Sequence, residues 1–234
     1  MITCRTAKQC GQADYGWLQA RYTFSFGHYF DPDLMGYASL RVLNQEVLEA
    51  NASFKPRTYP NVDVLNILLQ GQAEYRDSEG HSWKAGVDDC ILISSQPKVS
   101  YSEQNIDASG PLTRLQLWLD ACPNQTNPLF QRLSLSHQAY TLIASPTGEQ
   151  GSLQLRQQVW IHHIQLQAGE QYQVSLRGSR AYMQSIYGSL ILENMNAESC
   201  QKLGCGDGAF INDEKQIIFK AVKPVRLLLL DLPV

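Results

Sequence analysis

The sequence predicts an all-β protein: two similar β-barrels in tandem, joined by a short, partly helical connection. Three observations carry this prediction. Short runs rich in β-branched and aromatic residues follow one another along the chain, each bounded by Gly, Pro, Asn or Asp. Helix signals are scarce, as in sandwiches and barrels built from many short strands. The two halves also share a rhythm. "DVLNILLQGQAEYRDSEG" and "AYMQSIYGSLILEN" each run an apolar strand into a glycine turn and out again, and "AGVDDCILISS" is matched further on by "GCGDGAFINDE". The offset amounts to an internal repeat of about 110 residues, the mark of a duplicated unit.

Taken in chain order, strands are predicted at 22–30 ("YTFSFGHYF"), 37–47 ("YASLRVLNQEV"), 62–77 ("VDVLNILLQGQAEYRD"), 90–95 ("CILISS") and 112–120 ("LTRLQLWLD"). They make the first barrel, residues 1–121. From 122 to 149, "CPNQTNP" and "ASPTGEQGS" crowd Pro, Gly, Ser and Asn around "NPLFQRLSLS". There Asn127 can cap a short helix and Pro128 can occupy its first position. The second barrel, residues 150–234, takes strands at 159–167, 180–193, 209–222 and 225–234.

Composition bounds the functions open to such a chain. No apolar run approaches the roughly 20 residues of a membrane span, so a membrane protein is not expected. The opening "MITCRTAKQC" is polar where a secretory signal is apolar, which points to the cytoplasm. Net charge is −3 with Lys and Arg scattered singly, so no nucleic-acid partner is expected. In that compartment the default state of Cys4, Cys10, Cys90, Cys122, Cys200 and Cys205 is the free thiol, and their spacing does not match a zinc site. The sequons at Asn51 and Asn124 carry no meaning there.

"FSFGHYFDPDLMGYASLRVLN", "YRDSEG" and "YSEQN" resemble the N-terminal half of the pirin family, and "GDGAFINDE" with "LLLLDLP" resembles its C-terminal half. The resemblance covers nearly the whole chain. It implies a bicupin, two cupin barrels on one chain, in agreement with the repeat. It also implies a metal centre in the N-terminal cupin, usually iron, held by an H-P-H motif before a strand that ends in a glycine turn and by an H-S-E motif near the end of the barrel. Counting back from Gly71, the H-P-H positions fall on Arg57, Thr58 and Tyr59. The H-S-E positions fall on Tyr101, Ser102 and Glu103. Only the carboxylate remains.

Imidazole supplies most of the affinity of such a site, phenol is a poor neutral ligand, and guanidinium cannot deprotonate. No metal or other cofactor is therefore expected. The former metal site, Arg57, Tyr59, Tyr101 and Glu103, is expected to be a pocket. Two readings of Arg57 stay open: it pairs with Glu103 inside the barrel, or it points out of the mouth into water.

The remaining candidates carry less. His162 and His163 are adjacent on a predicted strand, face opposite sides and cannot share an ion. His28 reads as structural near a turn; His81 and His137 read as solvated. "GCGDG" lacks the spacing and following helix of a phosphate loop and reads as a tight turn. Cys122, ahead of Pro123 where the connection starts, is the redox candidate, whereas Cys90 in a core strand is expected to be inert. The sequence thus predicts a non-enzymatic or vestigial pirin-like bicupin, small-molecule-binding or redox- and stress-responsive, with an unknown small molecule or protein as partner. The alternative is a metal-dependent oxidoreductase of the quercetin 2,3-dioxygenase type, as the resemblance to some bacterial pirins implies.

Overall fold

In a computed structural model that describes residues 1–136, 138–196 and 199–233, strand dominates. The only helical pieces among these residues are 3-10 turns at Ala7–Gln9 and Glu149–Gly151. The chain divides into two compact units.

The N-terminal unit comprises Gly11–Leu135 and Leu155–Gln157. Its seven-stranded sheet uses β2 (Gly11–Asp14), β3 (Leu18–Tyr22), β4 (Leu40–Leu48), β6 (Val62–Gln70), β9 (Asp89–Ser94), β11 (Leu112–Asp120) and β12 (Phe130–Ser134), in the order β12-β9-β6-β11-β4-β3-β2. Its four-stranded sheet uses β5 (Ser53–Arg57), β7 (Ala73–Asp77), β8 (Ser82–Ala85) and β10 (Tyr101–Asn105), in the order β5-β10-β7-β8. The core joins both sheets: Val64, Leu68 and Leu112 from the first pack with Tyr75, Tyr101 and Ala85 from the second. Successive strand residues face opposite sides, so in β10 Tyr101, Glu103 and Asn105 are buried while Ser102 and Gln104 are half-exposed.

The C-terminal unit comprises Met1–Cys10, Ser136–Gln154 and Gln158–Val234. It contains β1 (Ile2–Arg5), β13 (Tyr140–Ser145), β14 (Leu153–Gln154), β15 (Trp160–Leu166), β16 (Gln171–Ser175), β17 (Arg180–Asn194), β18 (Ser199–Leu203), β19 (Gly208–Asn212) and β20 (Gln216–Asp231). The path runs β1-β19-β17-β20-β15-β13-β14, with β16 on β20 and β18 on β17. Its core centres on Met183, Leu190, Phe219, Leu227 and Leu229.

The duplicated glycine turns are visible in the backbone. Gly71 and Gly188 both have φ +82°, and a Cβ would stand 2.6 Å from the Pro111 carbonyl oxygen at the first and 1.8 Å from the Pro224 carbonyl oxygen at the second. Only glycine fits either place.

Four expectations are corrected. The segment after Pro128 is the strand β12, not a helix. It pairs with β9 from Phe130 opposite Ile93 to Ser134 opposite Asp89, and Ser134 Oγ donates to Asp89 at 2.6 Å. An open sheet edge satisfies this short segment's backbone, whereas an isolated helix of that length is marginal. Of the stretch 22–30, only Tyr22 belongs to a strand. The unit boundaries also lie elsewhere: residues 1–10 belong with the C-terminal unit, because β1 pairs with β19, and the break near 121 moves to Leu135. Finally, not all the thiols are free. Cys4 and Cys200 form a disulfide, Cα atoms 5.7 Å apart, between β1 and β18.

Candidate functional site

The centre of the N-terminal unit is polar, and the period of its strands makes it so. In β11, Arg114, Gln116 and Trp118 alternate on the face that also carries Leu112 of the core. Directly across from them stand Glu46 and Asn44 of β4 and Asn66 of β6. Gln116 Nε2 donates to Asn66 Oδ1 at 3.0 Å, and Gln116 Oε1 accepts from Trp118 Nε1 at 3.0 Å. Asn44 Nδ2 donates to Glu46 Oε1 at 3.2 Å. Asn44 Oδ1 and Asn66 Nδ2 are left as the open positions of the network.

Arg114, 1% exposed, is the hub. Its Nε and Nη2 donate to Glu46 Oε2, and Nη1 donates to Asn66 Oδ1 at 3.2 Å and to Glu103 Oε2. Glu103 also accepts from the Tyr75 hydroxyl at 3.0 Å, directly across on β7. One buried cation is thus shared by two buried carboxylates from opposite sheets, the arrangement that compensates charges taken out of water. Burial pushes the Tyr75 phenol up to about 12, so it stays a donor to Glu103 at neutral pH.

The four predicted pocket residues are only partly together. Glu103, Tyr101 and Tyr59 are. The Tyr59 and Tyr101 rings stack with centroids 4.5 Å apart and planes 6° from parallel, and Trp118 meets Tyr59 edge-on at 5.1 Å. Burial, with the Tyr59 phenol beside it, holds the Tyr101 pKa well above the ordinary tyrosine range. Arg57 stands apart from Glu103. It is exposed, and its guanidinium lies 4.6 Å from the centroid of the Phe54 ring. The reason is local: the pairing of β5 with β10 carries a bulge, Arg57 opposite Tyr101 but Phe54 opposite Glu103, and Phe54 takes the inward place. Of the two readings of Arg57, the outward one holds, and Arg114 supplies the buried guanidinium.

These side chains do not fit a metal. The stacked phenols are poor ligands, the sole carboxylate at the motif positions is engaged by Arg114 and Tyr75, and a fixed positive charge stands beside it. Tyr59 also borders a cavity of about 610 Å³ within the same unit, walled further by Pro97, Pro123, Gln125 and Arg156. Arg156, 5% exposed, is held by Asp63 through Nε at 2.8 Å and its backbone N–H at 2.7 Å. Cys122 adjoins this wall. It is half-buried, its N–H donates to the Arg156 carbonyl at 2.7 Å, and Cys90 is fully buried.

The histidines lie elsewhere. His162 is buried and hydrogen-bonded through Nδ1 to the Tyr140 hydroxyl; His163, behind it, accepts from Arg226 Nε at 2.6 Å. They face opposite sides as expected. His28 is exposed, 6.3 Å from the Tyr15 ring. His81 is exposed and bonded to Asp77 at 2.8 Å; with Glu79 these groups cluster, but Asp77 Oδ1 already accepts from the N–H groups of Glu79 and His81, closing a turn. His137 lies outside the described residues.

A duplicated cupin with a polar first interior defines the class, a bicupin, and comparison supplies the family. The Pirin family model matches residues 3–119, and the model described as the quercetinase C-terminal cupin domain matches 142–232. The chain belongs to the pirin family. It is 62% identical to the Pirin-like protein YhaK of Escherichia coli (strain K12), over the whole length of both. It is 30% identical to the Quercetin 2,3-dioxygenase of the same strain, over the whole of this chain and 99% of the relative. Among solved structures it resembles E. coli YhaK (TM-score 0.82, 97% of this chain and 100% of that one) and, at 29% identity, the bacterial pirin YhhW of E. coli in complex with nickel(II) (TM-score 0.93, 100% and 99%).

Proposed function

We propose that this chain is a metal-independent, non-enzymatic pirin that binds a small molecule in the cavity bordered by Tyr59, with Cys122 beside that wall as its redox-responsive position. One observation carries the reading: Arg114 lies between Glu46 and Glu103 in the interior where the family resemblance implies a cation. A guanidinium already bonded to both carboxylates competes with any metal for them. The low net charge without a basic tract supports a small-molecule or protein partner rather than a nucleic acid.

The second reading, a metal-dependent quercetin dioxygenase, is favoured by the 30% identity to an enzyme of that name. Metal analysis of protein purified without chelators, with a quercetin turnover assay alongside, separates the two. The expected result is well under one metal ion per chain and no turnover. A stoichiometric metal that survives dialysis and is lost on Glu103→Ala overturns the proposal. Restoring histidines with Tyr59→His and Tyr101→His is expected to raise metal content only when Arg114→Ala is added, because Arg114 otherwise keeps Glu103, whereas Arg57→His is expected to add nothing, because position 57 faces outward.

A further inference from the structure

We infer that the outer edge of the N-terminal unit carries a second binding site, a groove for a small aromatic anion built from Trp17, Phe54, Lys55 and Arg57. The groove holds about 420 Å³ and is lined by these side chains with Ala52 and Ser53. That volume falls in the range of small-molecule pockets, roughly 300–1,000 Å³.

Three features fix the ligand class. The first is aromatic surface: Trp17 is 40% exposed and meets the Phe54 ring edge-on at 5.1 Å, so indole surface stays in contact with water beside a second ring. The second is charge. Lys55 and Arg57 form no salt bridge or side-chain hydrogen bond among the described residues, and no carboxylate lines the groove. Two cations without a counter-ion at one mouth are complementary to an anion, and the planar guanidinium suits a carboxylate or sulfonate in particular. The third is order. The Arg57 guanidinium is already seated 4.6 Å from the Phe54 centroid, which lowers the entropy lost when it engages a ligand. β5 is the end strand of its sheet, and Pro56 between the two cations has no N–H to offer. A side-chain-lined site for a compact ligand therefore fits this edge better than an added peptide strand.

The test is calorimetric titration with 2-naphthoate and, as the neutral counterpart of similar shape, 2-naphthalenemethanol. Naphthoate is expected to bind measurably at low salt, the neutral compound about tenfold more weakly, and salt to weaken only the former. Lys55→Gln with Arg57→Gln is expected to bring naphthoate down to the neutral compound's affinity, and Trp17→Leu is expected to weaken both. These substitutions are at the surface, and an unchanged melting temperature verifies the fold. Tyr59→Ala reports on the other cavity and should leave naphthoate affinity within twofold. No naphthoate binding, equal affinity in the double variant, or a loss confined to Tyr59→Ala each overturns the inference.

Discussion

Arg114 and Glu46 stand directly opposite one another on β11 and β4, and the guanidinium donates from Nε at 3.1 Å and from Nη2 at 2.7 Å to a single carboxylate oxygen. Both side chains are nearly inaccessible, 2% and 3% exposed. Arg114→Met strands two buried carboxylates and is expected to destabilise the N-terminal unit by about 3–5 kcal/mol. Adding Glu46→Gln and Glu103→Gln should recover much of that loss. Arg57→Ala, which removes only an exposed cation, should cost no more than about 1 kcal/mol. Urea unfolding of the variants against the parent, with each unit's transition fitted separately, measures all three.

His162 gives the C-terminal unit an acid-side dependence. Burial, reinforced by the positive charge of Arg177, lowers its pKa to about 4, and Glu149 opposes this only in part. Below the ordinary histidine pKa of about 6.5 the unfolded chain takes up a proton that the folded one refuses, so the stabilisation present above pH 6.5 is lost as pH falls toward 4. Stability measured at half-unit steps from pH 7 to 4 should therefore decline. The decline should be shallower in His162→Gln, and equal slopes in the two proteins would refute the assignment.

The thiols should separate by access. Cys205 is exposed, Cys122 half-buried and Cys90 fully enclosed. With dilute iodoacetamide on the native protein, peptide mass spectrometry is expected to find Cys205 and Cys122 labelled well before Cys90. Sulfenic acid trapped selectively at Cys122 under dilute peroxide would support the redox-responsive role, and equal protection of Cys122 and Cys90 would remove it.

The Cys4–Cys200 disulfide makes a separate prediction. It closes a loop of nearly the whole chain, and such cross-links typically contribute about 2–4 kcal/mol. A non-reducing digest should contain the two peptides linked. A dithiol reductant should lower the unfolding midpoint of the C-terminal unit, and Cys4→Ser should reproduce that shift and abolish further sensitivity to reductant.

Local pattern accounts for much of this molecule. The strands at 62–77 and 112–120 and the paired glycine turns are written in short apolar runs and in glycines at positive φ. The errors have a common source, pairing over long distance. Nothing near Phe130 reveals that a β9 edge awaits it, and nothing near Cys4 reveals that Cys200 arrives beside it. Arg114 is a different matter. Family motif positions select four side chains and pass over the central strands, yet a charge at the third place of "LTRLQLWLD", with Asn44, Glu46 and Asn66 on the facing strands, breaks an interior apolar face. A polar residue on the inward register of a core strand is a readable signal that it has partners there. Arg57 illustrates the reverse case, since its outward course depends on a bulge that no residue type announces.

The pairing of β1 with β19 has a consequence for synthesis on the ribosome. Strand β1 is made ahead of the N-terminal unit yet belongs to the C-terminal one, and at roughly 5–20 residues per second its partner emerges about 10–40 s later. Over that interval the N-terminal unit can complete nearly all its pairings while Ile2–Arg5 stays an unpaired leading edge. The C-terminal unit must still receive β20, the strand that pairs with β15, β16 and β17, before it can close around that edge. An affinity tag or truncation at the front of the chain should accordingly disturb the half of the molecule encoded at the back.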